Sequence, residues 1–121
     1  MDWTIAIVTV AVIAGFFLLK RMAIVTEATA RQHLADGALV IDVRSPEEFR
    51  SGHVQNAVNI PLGELPAKLP QHVKTKSHVL LLYCLSGGRS GIARHQIKGM
   101  GYPNVFNLGS YGRAQGILAG K

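Results

Sequence analysis

Cys84 is the only cysteine in this chain of 121 residues. It opens the run Cys84-Leu85-Ser86-Gly87-Gly88-Arg89-Ser90, which has the composition of a reactive loop. Glycines let the backbone come close to the sulfur, and successive N–H groups of a tight turn can all point at it. A helix starting just beyond the loop would add the partial positive charge of its N-terminus. Arg89 adds a full cation. Such surroundings favour thiolate over thiol, lowering a cysteine pKa from about 8.5 to roughly 3.5–7.5. A thiolate formed this way is a nucleophile that needs no neighbouring general base, and no histidine stands beside Cys84. The competing reading is a buried structural cysteine, which would need neither the glycines nor the arginine.

The residues around the loop read as the elements that must position it. Val79 to Tyr83 is an apolar run that fits a central buried strand, and Ser90 to Met100 fits the helix after it, with Ser90 as its cap. Leu39 to Val43 is a second apolar strand, interrupted only by Asp42. Ser45-Pro46-Glu47-Glu48 is a helix start, with a serine cap, proline at the first position and acids in the first turn. Ile24-Val25, Ala57–Ile60 and Val105–Leu108 read as further short strands. Thr26 reads as the cap of a helix running to about Leu34. Asp36-Gly37 marks a turn, Glu64–Leu69 a short helix ended by Pro70, and Tyr111–Leu118 a terminal helix. Strands alternating with helices predict an α/β domain: a parallel sheet flanked by helices on both faces. Open sheets of this kind bind ligands beyond the carboxyl ends of their strands, where Cys84 and Arg44 both fall.

These segments also carry a family resemblance. Cys84 to Ser90 resembles the C-x-x-G-x-R-[ST] active loop of the rhodaneses, the thiosulfate sulfurtransferases. Val40-Ile41-Asp42-Val43-Arg44-Ser45-Pro46-Glu47-Glu48-Phe49 is similar to the first signature of that family. Gly52 to Pro61 is similar to its G-H-I-x-x-A-x-N-I-P segment, and Gly101-Tyr102-Pro103-Asn104-Val105 to the G-[FY]-x-x-V before the last strand. The resemblance runs from about residue 24 to 110 in the family's order. Ser90-Gly91-Ile92-Ala93 looks most like the small single-domain members of the bacterial phage-shock type. The resemblance implies a rhodanese-like fold and transfer of sulfane sulfur from thiosulfate or a related donor to a thiophilic acceptor. The intermediate would be a persulfide on Cys84. Cys84 is then the catalytic residue, and Leu85, Ser86, Gly87, Gly88, Arg89 and Ser90 form the substrate-binding loop. One departure stands out: the family usually has Gly-Gly and an aromatic residue, often Trp, after the last strand, where this chain has Gly109-Ser110-Tyr111.

The supporting residues leave several readings open. Asp42, mid-strand, reads as a buried and paired acid. Arg44 could reach the cleft mouth, or pair at the surface with Glu47 or Glu48; Asp42 and Arg44 are the candidates for a supporting layer behind the loop. Arg89 could contact substrate, or pair with a carboxylate such as Asp42 to fix the loop. His53 reads as a structural hydrogen-bonding residue. No cofactor and no metal are expected, because there is no C-x-x-C and no His/Cys grouping with zinc spacing. The expected partners are a small anionic sulfur donor such as thiosulfate, and a thiol or cyanide acceptor. Nucleic acid is not expected, since no basic cluster is interleaved with aromatics. Two alternatives carry different functions: a non-catalytic rhodanese module that binds partners, and a rhodanese-fold phosphatase or arsenate reductase. The resemblance implies five residues between cysteine and arginine in such phosphatases; four lie between Cys84 and Arg89.

The N-terminus reads as a separate unit, residues 1–21, ahead of a domain at 22–121. Trp3 to Leu19 is uncharged, and Lys20 and Arg21 follow at once. A helix over that run is roughly 25 Å long, near the short limit for a hydrocarbon core of about 30 Å. The expectation is a single-pass membrane helix over residues 3–19. The basic flank would place the domain in the cytoplasm. The alternative is a cleaved signal peptide and a periplasmic domain, although Met1-Asp2 is a poor basic leader. Residues 22–121 carry eleven Lys and Arg against six Asp and Glu, about +5, which suits anionic substrates.

Overall fold

The computed structural model describes residues 2–22 and 24–119. Four strands, β1 (Leu39–Asp42), β2 (Val58–Asn59), β3 (Leu80–Cys84) and β4 (Val105–Ser110), form one parallel sheet in the order β2-β1-β3-β4. Six α-helices occur among the described residues: α1 (Trp3–Met22), α2 (Glu27–Ala35), α3 (Pro46–Ser51), α4 (Leu65–His72), α5 (Gly88–Gly99) and α6 (Tyr111–Ala119). Strand β3 is buried at every residue, which is why its sequence is unbroken hydrophobic rather than alternating.

The two-residue period of the strands sends their side chains to two separate cores. Ile41, Leu80, Leu82 and Cys84 pack with Leu65 and Leu69 of α4 and Ala93 and Ile97 of α5. Val40, Leu81, Tyr83 and Leu108 pack on the other face with Ala30 of α2 and Ala114 and Ile117 of α6. The expected sheet with helices on both faces is therefore what the chain forms. Pairing brings Asp42 opposite Tyr83, and Cys84 opposite Ser110, so these residues share the carboxyl edge of the sheet. The register between β3 and β4 shifts there: Leu82 faces Asn107, but Tyr83 faces Gly109. The extra residue in β4 bends its end towards the turn after Cys84.

Local signals account for the starts of two helices. Thr26 caps α2, and Ser45 and Glu48 close a reciprocal capping box on α3 with Pro46 in the first turn. Three local expectations are corrected. Pro70 lies inside α4 instead of ending it; a helix of only 8 residues has few i→i−4 bonds for a proline to remove. Residues 24–25 form no strand; Ile24 makes a single bridge to Asn107. The cap of α5 is Gly87, not Ser90, because the left-handed turn is completed three residues earlier.

The membrane expectation is also overturned. Helix α1 forms, but among the described residues no helix is long and apolar enough to cross a membrane. The uncharged run of about 25 Å falls short of a core of about 30 Å, and it is interrupted by Thr4 and Thr9. The single-pass assignment and the cytoplasmic orientation drawn from it do not stand. The side chains of Lys20 and Arg21, on which that orientation rested, lie outside the described residues.

Candidate active site

Cys84 is the last residue of β3, and the chain turns over its sulfur directly into α5. Gly87 makes the turn. Its φ of 98° is a left-handed conformation that glycine alone adopts at little cost, and a Cβ there would lie 3.3 Å from Gly109 Cα. The Gly87 N–H donates to Cys84 Sγ at 3.0 Å, and the Ser90 hydroxyl lies 3.5 Å from the same sulfur. Ser90 and Cys84 are both fully buried. Burial pushes the Cys84 thiol up. The Ser90 hydroxyl and the N–H groups of Ser90, Gly87 and Ser86 outweigh it, so the thiol titrates below its ordinary value. The loop is braced from outside by a Ser86–Ser110 bridge and by the Tyr111 N–H, 3.4 Å from the Leu85 carbonyl. Leu85, Ser86 and Gly88 themselves are exposed.

Arg89 hydrogen-bonds neither the sulfur nor Asp42. Its guanidinium makes a two-pronged pair with Glu48 of α3, at 2.7 and 3.0 Å. The same carboxylate accepts the Ser45 N–H and hydroxyl, so one acid caps α3 and fastens the loop to it. The Arg89 guanidinium, followed by the Ser45 N–H, pulls the Glu48 carboxyl down to about 2. Both side chains are about one-third exposed, at 38% and 31%, so the pair contributes about 1 kcal/mol or less. Its folded-state pKa is lowered, so this contribution is complete above about 4.5 and lost as pH falls towards about 2. Denaturation of wild type and Glu48→Gln is expected to differ at neutral pH, with the gap closing across that window. A gap unchanged down to the acid end would show that the pair does not hold the loop.

Asp42 is buried and paired, as expected, but with Arg44. Arg44 Nε and Nη2 donate to the carboxylate at 2.7–3.1 Å, and Nη2 also donates to the Gly52 carbonyl at 2.7 Å. Arg44 is only 5% exposed, so it neither lines the cleft mouth nor pairs with Glu47 or Glu48. The aromatic that follows β4 closes over it: the Tyr111 ring lies 4.5 Å from the guanidinium and packs edge-on to Tyr83. His53 accordingly hydrogen-bonds the Phe49 carbonyl and stacks on the Phe49 ring.

Two residues of the site escape sequence reasoning. Glu48 was legible as a helix-capping acid, but nothing in its spacing pointed to Arg89, 41 residues away. Asn107 is 3% exposed and holds Ser90, Gly87 and Gly109 together; its one sequence signal is a polar residue inside an apolar strand.

Known proteins resemble this chain in sequence and fold. The family model for the rhodanese-like domain matches residues 26–112. The thiosulfate sulfurtransferase PspE of Escherichia coli (strain K12) is 42% identical over 69 residues, 57% of this chain and 66% of that protein. The chain thus spans just under two thirds of that relative, and 40% and 55% of two others. A solved structure described as a rhodanese with anions from E. coli is 38% identical, with a TM-score of 0.62, covering 64% of this chain and 91% of that one. The human single-domain sulfurtransferase TSTD1 is 29% identical, with a TM-score of 0.64, covering 76% and 94%. A cysteine loop at the carboxyl edge of a parallel sheet, within the matched residues 26–112, leaves one conclusion: the chain belongs to the rhodanese-like domain family.

Proposed function

We propose that this protein is a sulfurtransferase that moves sulfane sulfur from thiosulfate, or a related anionic donor, to a thiophilic acceptor through a persulfide on Cys84. The observation that carries the reading is the sulfur's position under converging N–H groups, which favours an anion on it. The Cys84 thiolate attacks the outer sulfur of thiosulfate. A new S–S bond forms, the S–S bond of the donor breaks, and sulfite leaves with the electron pair. Cyanide or a thiolate acceptor then takes the terminal sulfur and returns the Cys84 thiolate. The loop N–H groups that favour the thiolate would also hold the anionic persulfide. With a single cysteine, no internal thiol can resolve the persulfide as a disulfide, so the sulfur leaves to an external acceptor. The names of the relatives support sulfur transfer as the general chemistry.

Intact-mass spectrometry tests this directly. Thiosulfate is expected to add about 32 Da, one sulfur atom on the thiolate, and cyanide to remove it. Double-reciprocal plots with thiosulfate and cyanide should give parallel lines. No adduct, or intersecting lines, would remove the persulfide from the main path. Phosphate release from aryl phosphates at a comparable rate would favour a phosphatase.

A further inference from the structure

Behind the sulfur lies a buried network whose members compete for one hydrogen. Ser90 Oγ is 2.7 Å from Asn107 Oδ1, 3.2 Å from the Gly87 carbonyl and 3.5 Å from Cys84 Sγ. All three are acceptors, and a serine hydroxyl has one hydrogen to give. The Asn107 amide cannot exchange its ends. Its Oδ1 accepts the Gly109 N–H at 2.8 Å and its Nδ2 donates to the Gly87 carbonyl at 3.2 Å. A flipped amide would set its NH₂ group against the Gly109 N–H. The Gly87 carbonyl already accepts both Nδ2 and the Gly91 N–H at 3.1 Å, which fills its two lone pairs. Distance therefore gives the hydroxyl hydrogen to Asn107 while the sulfur is a neutral thiol. A thiolate or persulfide is a charged acceptor, and draws the hydrogen more strongly than an amide oxygen does.

We propose that Asn107 is a positioning residue that sets the reactivity of Cys84 by competing with the sulfur for the Ser90 hydroxyl hydrogen. It holds the hydroxyl in reserve in the resting thiol and releases it as negative charge develops on sulfur. The proposal deepens the reading of Cys84 as the nucleophile and rests on it. The β4 bulge is what makes the competition possible, because it brings Asn107 and Gly109 to the same loop. Among the charged and titratable groups on the surrounding elements are Asp42 at the end of β1, Arg44 just after it, Glu48 on α3, Tyr83 on β3, Arg89, Arg94, His95 and Lys98 on α5, and Tyr111 on α6. Arg113 of α6 reaches the Leu108 carbonyl, and His33 of α2 stacks on Phe106. Substitution at Asn107 removes none of these groups.

The test is the pH midpoint of iodoacetamide alkylation of Cys84, measured with no sulfur donor present. Its outcome is thereby independent of whether thiosulfate forms an adduct. Ser90→Ala should raise the midpoint, since the thiolate loses a donor. Asn107→Ala, and the nearly isosteric Asn107→Leu, should each lower it by about half a unit to one unit, the scale of one hydrogen bond. Neither should shift it when combined with Ser90→Ala. A raised or unchanged midpoint in either folded variant overturns the proposal, as does the same shift in the Ser90→Ala background. Failure of both Asn107 variants to fold would make the residue part of the scaffold, and would overturn it too.

Discussion

Cys84→Ser is expected to lower turnover of thiosulfate with cyanide by on the order of 10⁴-fold or more, the scale on which removal of a covalent nucleophile acts. Serine matches cysteine closely in shape, and its oxygen can accept the Gly87 N–H that now reaches sulfur at 3.0 Å. The fold should therefore survive with a small change in stability. The chemistry should not. A hydroxyl is far less acidic than a thiol, so the same N–H groups that favour a thiolate cannot produce an alkoxide at neutral pH. An oxygen also cannot carry the sulfane sulfur as a persulfide. Thiocyanate formation and a thermal melt on the same preparation separate the two effects. Retention of more than about 1% of turnover in a folded variant would place the nucleophile elsewhere, because removing it costs far more than that. No second cysteine exists to take its place.

The parts of this site that were legible in the sequence are the local ones. The loop from Cys84 to Ser90 announces itself because its glycines, arginine and serine lie within six positions of the cysteine. The buried strands were legible because a parallel sheet covered on both faces leaves an unbroken apolar run. The cap at Ser45 was legible because a capping box spans one turn. What was missed is non-local. Arg89 reads in the sequence as contacting substrate or pairing with a carboxylate such as Asp42; the carboxylate it pairs with is Glu48, brought close only when α3 packs beside the loop. Arg44 looked like a mouth residue because it follows a strand end. It turns back instead, since Asp42 two residues earlier offers its carboxylate to both the Arg44 backbone N–H and guanidinium. Asn107 owes its role to a bulge, which depends on pairing between strands and leaves no mark in either alone. The N-terminal run was misread for a different reason. Absence of charge is necessary for a membrane span but not sufficient, and the length that decides it was marginal.

The Asp42–Arg44 pair leads to the largest expected change in stability. Asp42→Ala is expected to destabilise the fold by about 3–5 kcal/mol, the cost of leaving a buried charge without its partner. Asp42 is fully buried and Arg44 nearly so, so water cannot replace the lost carboxylate without opening the edge of the sheet. What remains for the guanidinium is the Gly52 carbonyl and the rings of Tyr111 and Tyr83, none of which carries a compensating charge. A loss of this size is a large fraction of the 5–15 kcal/mol typical of a folded domain. Urea unfolding should show a lower midpoint at an unchanged slope, the sign of altered stability rather than altered compactness. The paired replacement Asp42→Leu with Arg44→Met should recover much of the loss, because it removes both charges together. The recovered variant then isolates what the pair does for the site. Arg44 ties the end of α3 through Gly52 and the start of α6 through Tyr111, and α3 carries Glu48 to Arg89. With stability restored but these ties cut, the loop should be held less firmly, and turnover should fall while the pH midpoint of Cys84 alkylation stays in place. An Asp42→Ala variant within about 0.5 kcal/mol of wild type, the spread of an ordinary surface substitution, would show that the pair is not the brace its burial implies.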